Sequence, residues 1–192
     1  MRLSAPARRE QLIQTALAVF AEKGYHEASM NDIADAAGVT KPVLYQHFES
    51  KRELYLALLD ECGRRLTDTL TAATTEAEDG RSQTEVGFRA YFRFVHDDFD
   101  AFRLLFGSGA RRDEEFAATV RKVVDRSAEA IVPLIAADIS DEHRRVLAHA
   151  LTGIVEGVSR HVAGGGKQFD PDTVAKWVGE LAWGGLRSVR RD

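Results

Sequence analysis

Apolar residues recur every three to four positions along this chain, which is the spacing of one face of an α-helix. No stretch alternates apolar and polar residues between hairpin turns, so the pattern predicts no β-strand. It predicts helices near 6–23, 30–37, 41–47, 51–78, 84–98, 99–106, 112–137, 141–163 and 171–190. The predicted fold class is therefore all-α, with about nine helices.

Capping residues mark several of these helix starts. Ser29, Ser50 and Ser82 each precede a carboxylate by three residues, so both side chains can satisfy free N–H groups of the first turn. Ser140 is expected to cap the helix that follows it, and Asp170 stands before a proline that suits a first turn.

The helices differ in length along the chain. The first three are short and closely linked, and the later ones are long, which predicts a small N-terminal unit and a larger helical bundle that share the helix at 51–78. Pro133 lies inside the helix predicted at 112–137 and is expected to kink or end it.

Residues 29–48 read SMNDIADAAGVTKPVLYQHF, in which a turn with a glycine separates two short helices. Thr40 is expected to cap the second helix, and Pro42 fits its first turn because no backbone hydrogen bond is lost there. Leu44 and Phe48 are four residues apart and are expected to point inward. This arrangement is typical of a helix-turn-helix, whose second helix enters the major groove of DNA.

Side chains on that second helix and at its two ends suit DNA. Four of them can donate hydrogen bonds to phosphate oxygens: Thr40, Tyr45, His47 and Lys51. Lys41 can reach guanine O6 or N7, whereas Pro42 and Val43 can touch a thymine methyl group. The pattern alone leaves a second interpretation open, a helical hairpin in which the tyrosine and histidine only border a core.

The chain resembles the TetR family of bacterial transcriptional regulators over roughly residues 6–66. The resemblance is carried by Ile33-Ala34, Ala37-Gly38-Val39, Leu44-Tyr45, His47-Phe48, Ser50-Lys51 and Leu54. It implies DNA contacts by Ser29, Asn31, Thr40, Lys41, Pro42, Val43, Tyr45, His47 and Lys51. Many family members have Gly-Thr or Gly-Ser in place of Pro42-Val43, a departure that concerns base preference and not the fold.

The resemblance also implies two domains. Residues 6–66 form the TetR-type DNA-binding domain, with the helix-turn-helix at 29–48, and residues 67–192 form a helical domain for ligand binding and dimerisation. Six of the ten phenylalanines lie between positions 88 and 106. Core packing is the commoner explanation of such a cluster, but some of its rings could line an apolar pocket. The predicted pocket residues are Phe88, Tyr91, Phe92, Phe99, Phe102, Arg103, Phe106 and His149.

The last two predicted helices are expected to form the interface of a homodimer. Gly153 and Gly157 are four residues apart and allow a second helix to approach closely. The predicted interface residues are Gly153, Gly157, Trp177, Leu181, Trp183 and Leu186. Packing within one chain is the alternative.

Charge and composition limit the possible partners. The net charge is −4, and residues 1–66 carry nine Lys or Arg against nine Asp or Glu, so DNA binding needs a local basic patch. No segment is apolar enough to span a membrane, and the single cysteine favours a reducing compartment, so a cytoplasmic, DNA-associated protein is expected. No metal or other cofactor is expected, since neither a metal-ligand spacing nor a phosphate-binding glycine loop is present.

These observations predict a dimeric DNA-binding transcriptional regulator. A repressor is favoured, released from a palindromic operator by a small hydrophobic or amphipathic effector, although an activator remains open. The alternative is a helical interaction module or an enzyme in which the hairpin is scaffold. The sequence offers no paired nucleophile and base, which argues against an enzyme.

Overall fold

The computed structural model describes residues 3–107, 113–164 and 168–189, and these ranges contain helices and no strand. The α-helices are α1 (Ala5–Glu27), α2 (Met30–Ala36), α3 (Lys41–Tyr45), α4 (Lys51–Thr75), α5 (Gly80–Asp97), α6 (Phe99–Phe106), α7 (Glu114–Ile131), α8 (Asp141–Ala163) and α9 (Pro171–Leu186). The predicted all-α fold is confirmed. No helix in these ranges has the length and apolar character needed to cross a membrane.

Most of the predicted helix bounds agree with the structure. α6 and α8 begin and end where the pattern placed them, and Ser140 caps α8 by accepting a hydrogen bond from the N–H of His143 at 3.2 Å. α1 extends four residues beyond its predicted end at 23, although Gly24 interrupts its helical backbone with φ +77°. The predicted starts and ends at 112 and 190 lie outside the described residues.

The start of α5 corrects a prediction. Ser82 was expected to cap this helix, but the cap is Asp79, whose Oδ1 accepts from the N–H of Ser82 at 2.7 Å. The hydroxyl of Ser82 accepts in return from the N–H of Asp79 at 3.1 Å. Two overlapping box patterns compete in this sequence, and the earlier one forms because its carboxylate is a strong acceptor for free N–H groups.

Pro133 ends a helix as expected. α7 stops at Ile131, and residues Val132–Leu134 form a single 3-10 turn. Proline has no N–H to continue the α-helical ladder, so the chain leaves the helix at this point.

The chain divides into two compact units. The first contains Met1–Cys62 and Asp100–Val120, and the second contains Gly63–Phe99 and Arg121–Asp192. α4 contributes residues to both. The predicted ranges 6–66 and 67–192 are functional assignments, and they stay predictions.

The core of the first unit fixes the helix-turn-helix on α1 and α4. Leu44 of α3 and Phe48 beyond its end, which were predicted to point inward, are buried, with Leu44 fully inaccessible and Phe48 1% exposed. Ile33 of α2, Leu12 of α1 and Leu54 of α4 are fully buried as well. About 1.5–3 kcal/mol of burial free energy per such side chain holds the two short helices, which would not be stable alone.

The second unit is a helical bundle in which α9 packs along α5. Arg93 of α5 forms a two-pronged ion pair with Asp172 in the first turn of α9, at 2.9 and 2.8 Å. Ala128, Ile135 and Ala148 form the centre of a small apolar cluster where α7, the 3-10 turn and α8 meet.

Candidate DNA-binding surface and effector cavity

The start of α2 is held by reciprocal capping. The hydroxyl of Ser29 accepts from the N–H of Asp32 at 3.1 Å, and the Asp32 carboxylate accepts from the N–H of Ser29 at 2.8 Å. Lys23 adds an ion pair to the same carboxylate at 2.7 Å. Hydrogen bonds from Lys23 and Ser29 hold the pKa of Asp32 well below its usual range. Ser29, a predicted DNA contact, therefore already serves as a helix cap.

The turn between α2 and α3 contains Gly38, the glycine that the sequence placed between two short helices. Gly38 has φ +64°, a left-handed conformation that glycine adopts without strain. Val39 returns its N–H to the carbonyl oxygen of Ala34 at 3.0 Å. Thr40 is the residue before the first turn of α3, but its side chain makes no capping hydrogen bond, so its hydroxyl is not used to start the helix.

The predicted DNA-contacting side chains share the outer surface of α2 and α3. Leu44 is buried, whereas Asn31, Thr40, Lys41, Pro42 and Tyr45 are exposed and Val43 and His47 are half-buried. The ammonium of Lys41 lies 5.8 Å from the ring centroid of Tyr45, and 42% of that tyrosine is exposed. The folded chain thus brings eight of the nine predicted residues onto α2, α3 and their flanks.

Lys51 differs from the other eight. Its Nζ atom donates to three backbone carbonyl oxygens at the end of α1: Tyr25 at 2.8 Å, His26 at 3.2 Å and Ala28 at 2.8 Å. It also lies 4.6 Å from the ring centroid of Tyr25. The three ammonium protons are used within the chain, so a direct phosphate contact by this side chain requires it to give up one of these bonds. Its role in the structure is to tie the start of α4 to the end of α1.

A large cavity lies inside the second unit. It has a volume of about 680 Å³ and is bordered by α4, α5, α7, the 3-10 turn, α8 and α9. Phe88 and Tyr91, both predicted pocket residues, line it. Burial raises the pKa of the Tyr91 hydroxyl well above its usual range.

The other predicted pocket residues are corrected by the structure, which places none of them in the cavity wall. Phe92 is fully buried in helix packing, and Phe99 is half-buried away from the wall. Phe102, Arg103 and Phe106 belong to the first unit. His149 lies on the exposed side of α8. The phenylalanine cluster is split because the helix breaks at Asp98 and the chain then enters the other unit.

Most of the residues that line the cavity are not aromatic. The apolar part includes Ile131, Leu134, Leu147, Leu151 and Val155. A polar strip is formed by Thr71, Thr74, Thr75, Gln83 and Thr84. Among the lining residues, Asp138 and Arg187 are the charged ones. The sequence indicates this part of the wall only through the small residues at positions 80, 84 and 87 of α5, which lie on one helix face and leave space beside it.

The predicted dimer residues fall into two groups. Trp177 is 64% exposed and Leu181 is 69% exposed on α9, and a Cβ at Gly153 or Gly157 of α8 would meet no atom within 4 Å. Trp183 and Leu186 are instead half-buried and line the cavity, and their place at the interface stays a prediction. Positions 177 and 181 share a helix face, whereas 183 is turned toward the interior.

Comparison with known proteins gives the family. Residues 12–58 match the family model described as bacterial regulatory proteins, tetR family, and residues 81–185 match the tetracyclin repressor-like C-terminal domain. The HTH-type transcriptional activator FasR of Mycolicibacterium smegmatis is 37% identical over 190 residues, which are 98% of this chain and 87% of that protein. The chain belongs to the TetR family.

Solved TetR-family structures agree with this fold. A TetR-like regulator from Rhodococcus sp. RHA1 is 30% identical, with a TM-score of 0.77 over 98% of this chain and 100% of the other. The FadR regulator of Bacillus subtilis, solved in complex with stearoyl-CoA, is 17% identical, with a TM-score of 0.78 over 90% of this chain and 96% of the other. The second likeness concerns the fold alone.

Membership in the TetR family decides between the open alternatives. TetR-family proteins are DNA-binding transcriptional regulators that dimerise and respond to small molecules, so this chain is a helix-turn-helix regulator and not an enzyme. In the part of the chain that the structure describes, no group of three metal-ligating side chains comes together.

Proposed function

We propose that this regulator binds a palindromic operator as a homodimer and leaves it when a hydrophobic or amphipathic effector fills the cavity of the second unit. The observation that carries the proposal is the combination, in one chain, of an exposed helix α3 and a cavity of about 680 Å³. Pockets for small molecules commonly have volumes of about 300–1,000 Å³.

Two groups of side chains contact different parts of the DNA, the phosphate backbone and the base edges. Thr40, Tyr45 and His47 donate to phosphate oxygens and fix the orientation of α3 without reading sequence. Lys41, Pro42 and Val43 meet base edges at the N-terminal end of α3, where Lys41 is exposed and makes no ion pair with a described residue. Asn31 and the capped start of α2 add contacts to the phosphate backbone of the DNA.

The cavity wall suits a molecule with an acyl chain. Its apolar side chains match a hydrocarbon tail, and Thr71 and Gln83 can donate hydrogen bonds to a carbonyl oxygen. The hydroxyls of Thr74, Thr75 and Thr84 donate within their own helices, so they can only accept from an amide N–H. The likeness in fold to a regulator solved with stearoyl-CoA supports this chemistry. We assign Phe88 and Tyr91 to the wall that contacts the tail.

The exposed face of α8 and α9 forms the dimer interface. Trp177 and Leu181 supply apolar area, and the open space over Gly153 and Gly157 admits helices of the second copy. A two-fold dimer presents two α3 helices, which read half-sites one DNA turn or a small multiple apart. The effector acts by binding more tightly to the conformation whose α3 spacing does not fit DNA.

The test is a binding titration with the duplex that lies upstream of the protein's own gene, labelled with fluorescein, against an unlabelled random-sequence competitor. We expect preferential binding that weakens as salt rises, and release on addition of palmitoyl-CoA. Binding with no preference over random DNA would overturn the operator assignment. Preferential binding that palmitoyl-CoA leaves unchanged would overturn the acyl-chain assignment.

Activation of transcription is the second candidate, because the Mycolicibacterium smegmatis relative is an activator. Transcription from the same upstream region with purified polymerase separates the two. A repressor lowers the transcript level when it is added, and an activator raises it.

A further inference from the structure

We infer that Arg8 and Arg9, in the first turns of α1, form a second phosphate-binding patch beside the helix-turn-helix. The patch extends the DNA-binding surface to a helix that no sequence motif assigned to DNA. It rests on the proposed contact between α3 and DNA and concerns what lies next to that contact.

The guanidinium of Arg9 packs over the ring of Phe48, at the end of the helix-turn-helix. The guanidinium carbon lies 4.8 Å from the centroid of Phe48, which lies three residues after the end of α3 and is itself 1% exposed. Arg9 is exposed to solvent. A guanidinium stacked on a ring keeps its N–H donors at the edge of its plane, so the stacking fixes the group without using its donors.

The side chain of Arg8 is positioned through Gln11. Its guanidinium donates to the side-chain oxygen of Gln11 at 2.5 Å, and the amide nitrogen of Gln11 donates to the carbonyl oxygen of Ala37 at 3.4 Å. Ala37 caps the C-terminal end of α2, where the turn begins. The start of α1 therefore contacts the turn of the helix-turn-helix and the residue at its end through neutral partners.

Nearby lysine and arginine side chains differ from Arg8 and Arg9 because each has a charged or backbone partner within the chain. Lys23 is paired with Asp32 at 2.7 Å, and Arg52 is paired with Asp113 at 2.8 Å. Lys51 is held by backbone carbonyls. Arg8 and Arg9 make no ion pair with a carboxylate anywhere in the described ranges, and neither does Lys41.

This distribution leaves three cations without an ion pair, one on α3 and two at the start of α1, in a chain whose net charge is −4. Fixed guanidinium groups with free donors match phosphate oxygens, which accept two parallel hydrogen bonds from arginine. The positive end of the α1 dipole adds to the same field. Because both side chains lie at a helix start and not on α3, the chemistry assigns them to the DNA backbone and not to base edges.

The test compares Arg8→Gln, Arg9→Gln and the double variant with Lys122→Gln, which removes one exposed charge from α7. Affinity for a fluorescein-labelled random-sequence duplex of about 30 base pairs, roughly three helical turns, is measured across a salt series. We expect each arginine substitution to reduce the slope of log affinity against log salt by about 1 per protomer, hence about 2 per dimer, and Lys122→Gln to leave it unchanged. Affinity for the upstream duplex should fall by the same factor as for the random one.

A structural role for Arg9 predicts a different result. Arg9→Gln would then lower the melting temperature and leave the salt slope at its wild-type value, and an unchanged slope in all three variants overturns the inference. Arg8→Gln leaves the contact with Phe48 intact, so the test stands even if Arg9→Gln does not fold. If the wild-type protein itself does not bind the upstream duplex preferentially, the operator assignment fails, which is a separate outcome from an unchanged slope on random DNA.

Discussion

Gly63 of α4 lies so close to Val123 of α7 that a Cβ added at position 63 would stand 2.3 Å from the Cγ2 atom of the valine. The Cγ1 atom would be at 2.8 Å, and Val123 is 1% exposed. A valine side chain is stiff because it branches at Cβ, so it cannot rotate away at small cost. The two helices can cross at this distance only because residue 63 has no side chain.

Gly63→Ala should therefore destabilise the protein by about 1–3 kcal/mol, the usual cost of overpacking a core. Unfolding in urea, followed by circular dichroism, measures the change. Adding Val123→Ala to Gly63→Ala should restore part of the stability, because the second substitution removes both clashing methyl groups. Equal or lower stability of the double variant would show that the close approach is not the cause.

Lys51 and Lys41 should respond in opposite ways to the same substitution. Lys51→Gln removes hydrogen bonds from a charged donor to carbonyls at the end of α1, which are worth about 1.5–3 kcal/mol each when made to charged groups, so stability should fall. Lys41→Gln changes an exposed side chain and should leave stability unchanged while weakening operator discrimination by roughly 1–3 kcal/mol. Urea midpoints and competition binding to operator variants measure the two effects. Discrimination lost in Lys51→Gln alone would reverse this assignment.

The ion pair between Arg52 and Asp113 should make stability depend on pH in the acid range. The hydrogen bond from Arg52 lowers the pKa of Asp113 from its ordinary 3.8 to about 2. Since the folded-state pKa lies below the unfolded one, the pair stabilises the fold above about pH 4, and this contribution is lost as pH falls toward 2.

Arg52→Gln should accordingly be less stable than wild type at pH 7, and the difference in urea midpoint should shrink between about pH 4 and pH 2. Lys122→Gln provides the charge-matched control without this ion pair. A difference that stays constant over the whole interval would rule out Asp113 as the titrating group.

A large side chain in the cavity should weaken effector binding and leave the affinity for DNA unchanged. Ala130 is half-buried in the cavity wall on α7, so Ala130→Trp places a large ring in the space that the acyl chain would occupy. Binding of palmitoyl-CoA, measured by calorimetry, should weaken at least about tenfold, which is about 1.4 kcal/mol. Ala72→Trp, at an exposed position of α4 outside the wall, is the control. Affinity for the upstream duplex without palmitoyl-CoA should not change in either variant.

A charge on the exposed face of α9 should separate the dimer. Leu181→Glu places a carboxylate where an apolar contact with the second copy is proposed, and burying it unpaired is strongly unfavourable. Sedimentation velocity should show a monomer for Leu181→Glu and a dimer for Lys122→Glu. A dimeric Leu181→Glu protein would place the interface elsewhere.

The sequence predicted the starts of both short helices, at 30 and 41, because the features that set them are local, whereas the predicted ends at 37 and 47 lie beyond the observed ends at Ala36 and Tyr45. The cap at Ser29, the left-handed Gly38 and the first-turn Pro42 each follow from neighbouring backbone geometry, and the structure contains all three. The partners of Lys51 could not be predicted in the same way. They lie 23 to 26 residues away in sequence, and only the folded packing brings them together.

The surface on which each residue of the second unit lies could not be predicted from the sequence, for a related reason. Trp177 and Trp183 lie in the same helix and have the same chemistry, yet one is exposed and the other lines the cavity. Composition placed both at the interface, because the direction of each ring depends on where α5 and α8 lie around α9. Phe88 and Phe102 were separated in the same way by the break between α5 and α6.

The first unit is not a continuous stretch of the chain. Phe116 packs its ring 4.9 Å from that of Tyr25 and 4.6 Å from that of Tyr55, so a segment centred near residue 116 completes a core that begins at α1. During synthesis the N-terminal residues emerge from the ribosome first, but this core lacks one of its aromatic walls until about 120 residues have been made. The aromatic core of the first unit therefore cannot be complete until residues 63–99, which belong to the second unit, have been translated.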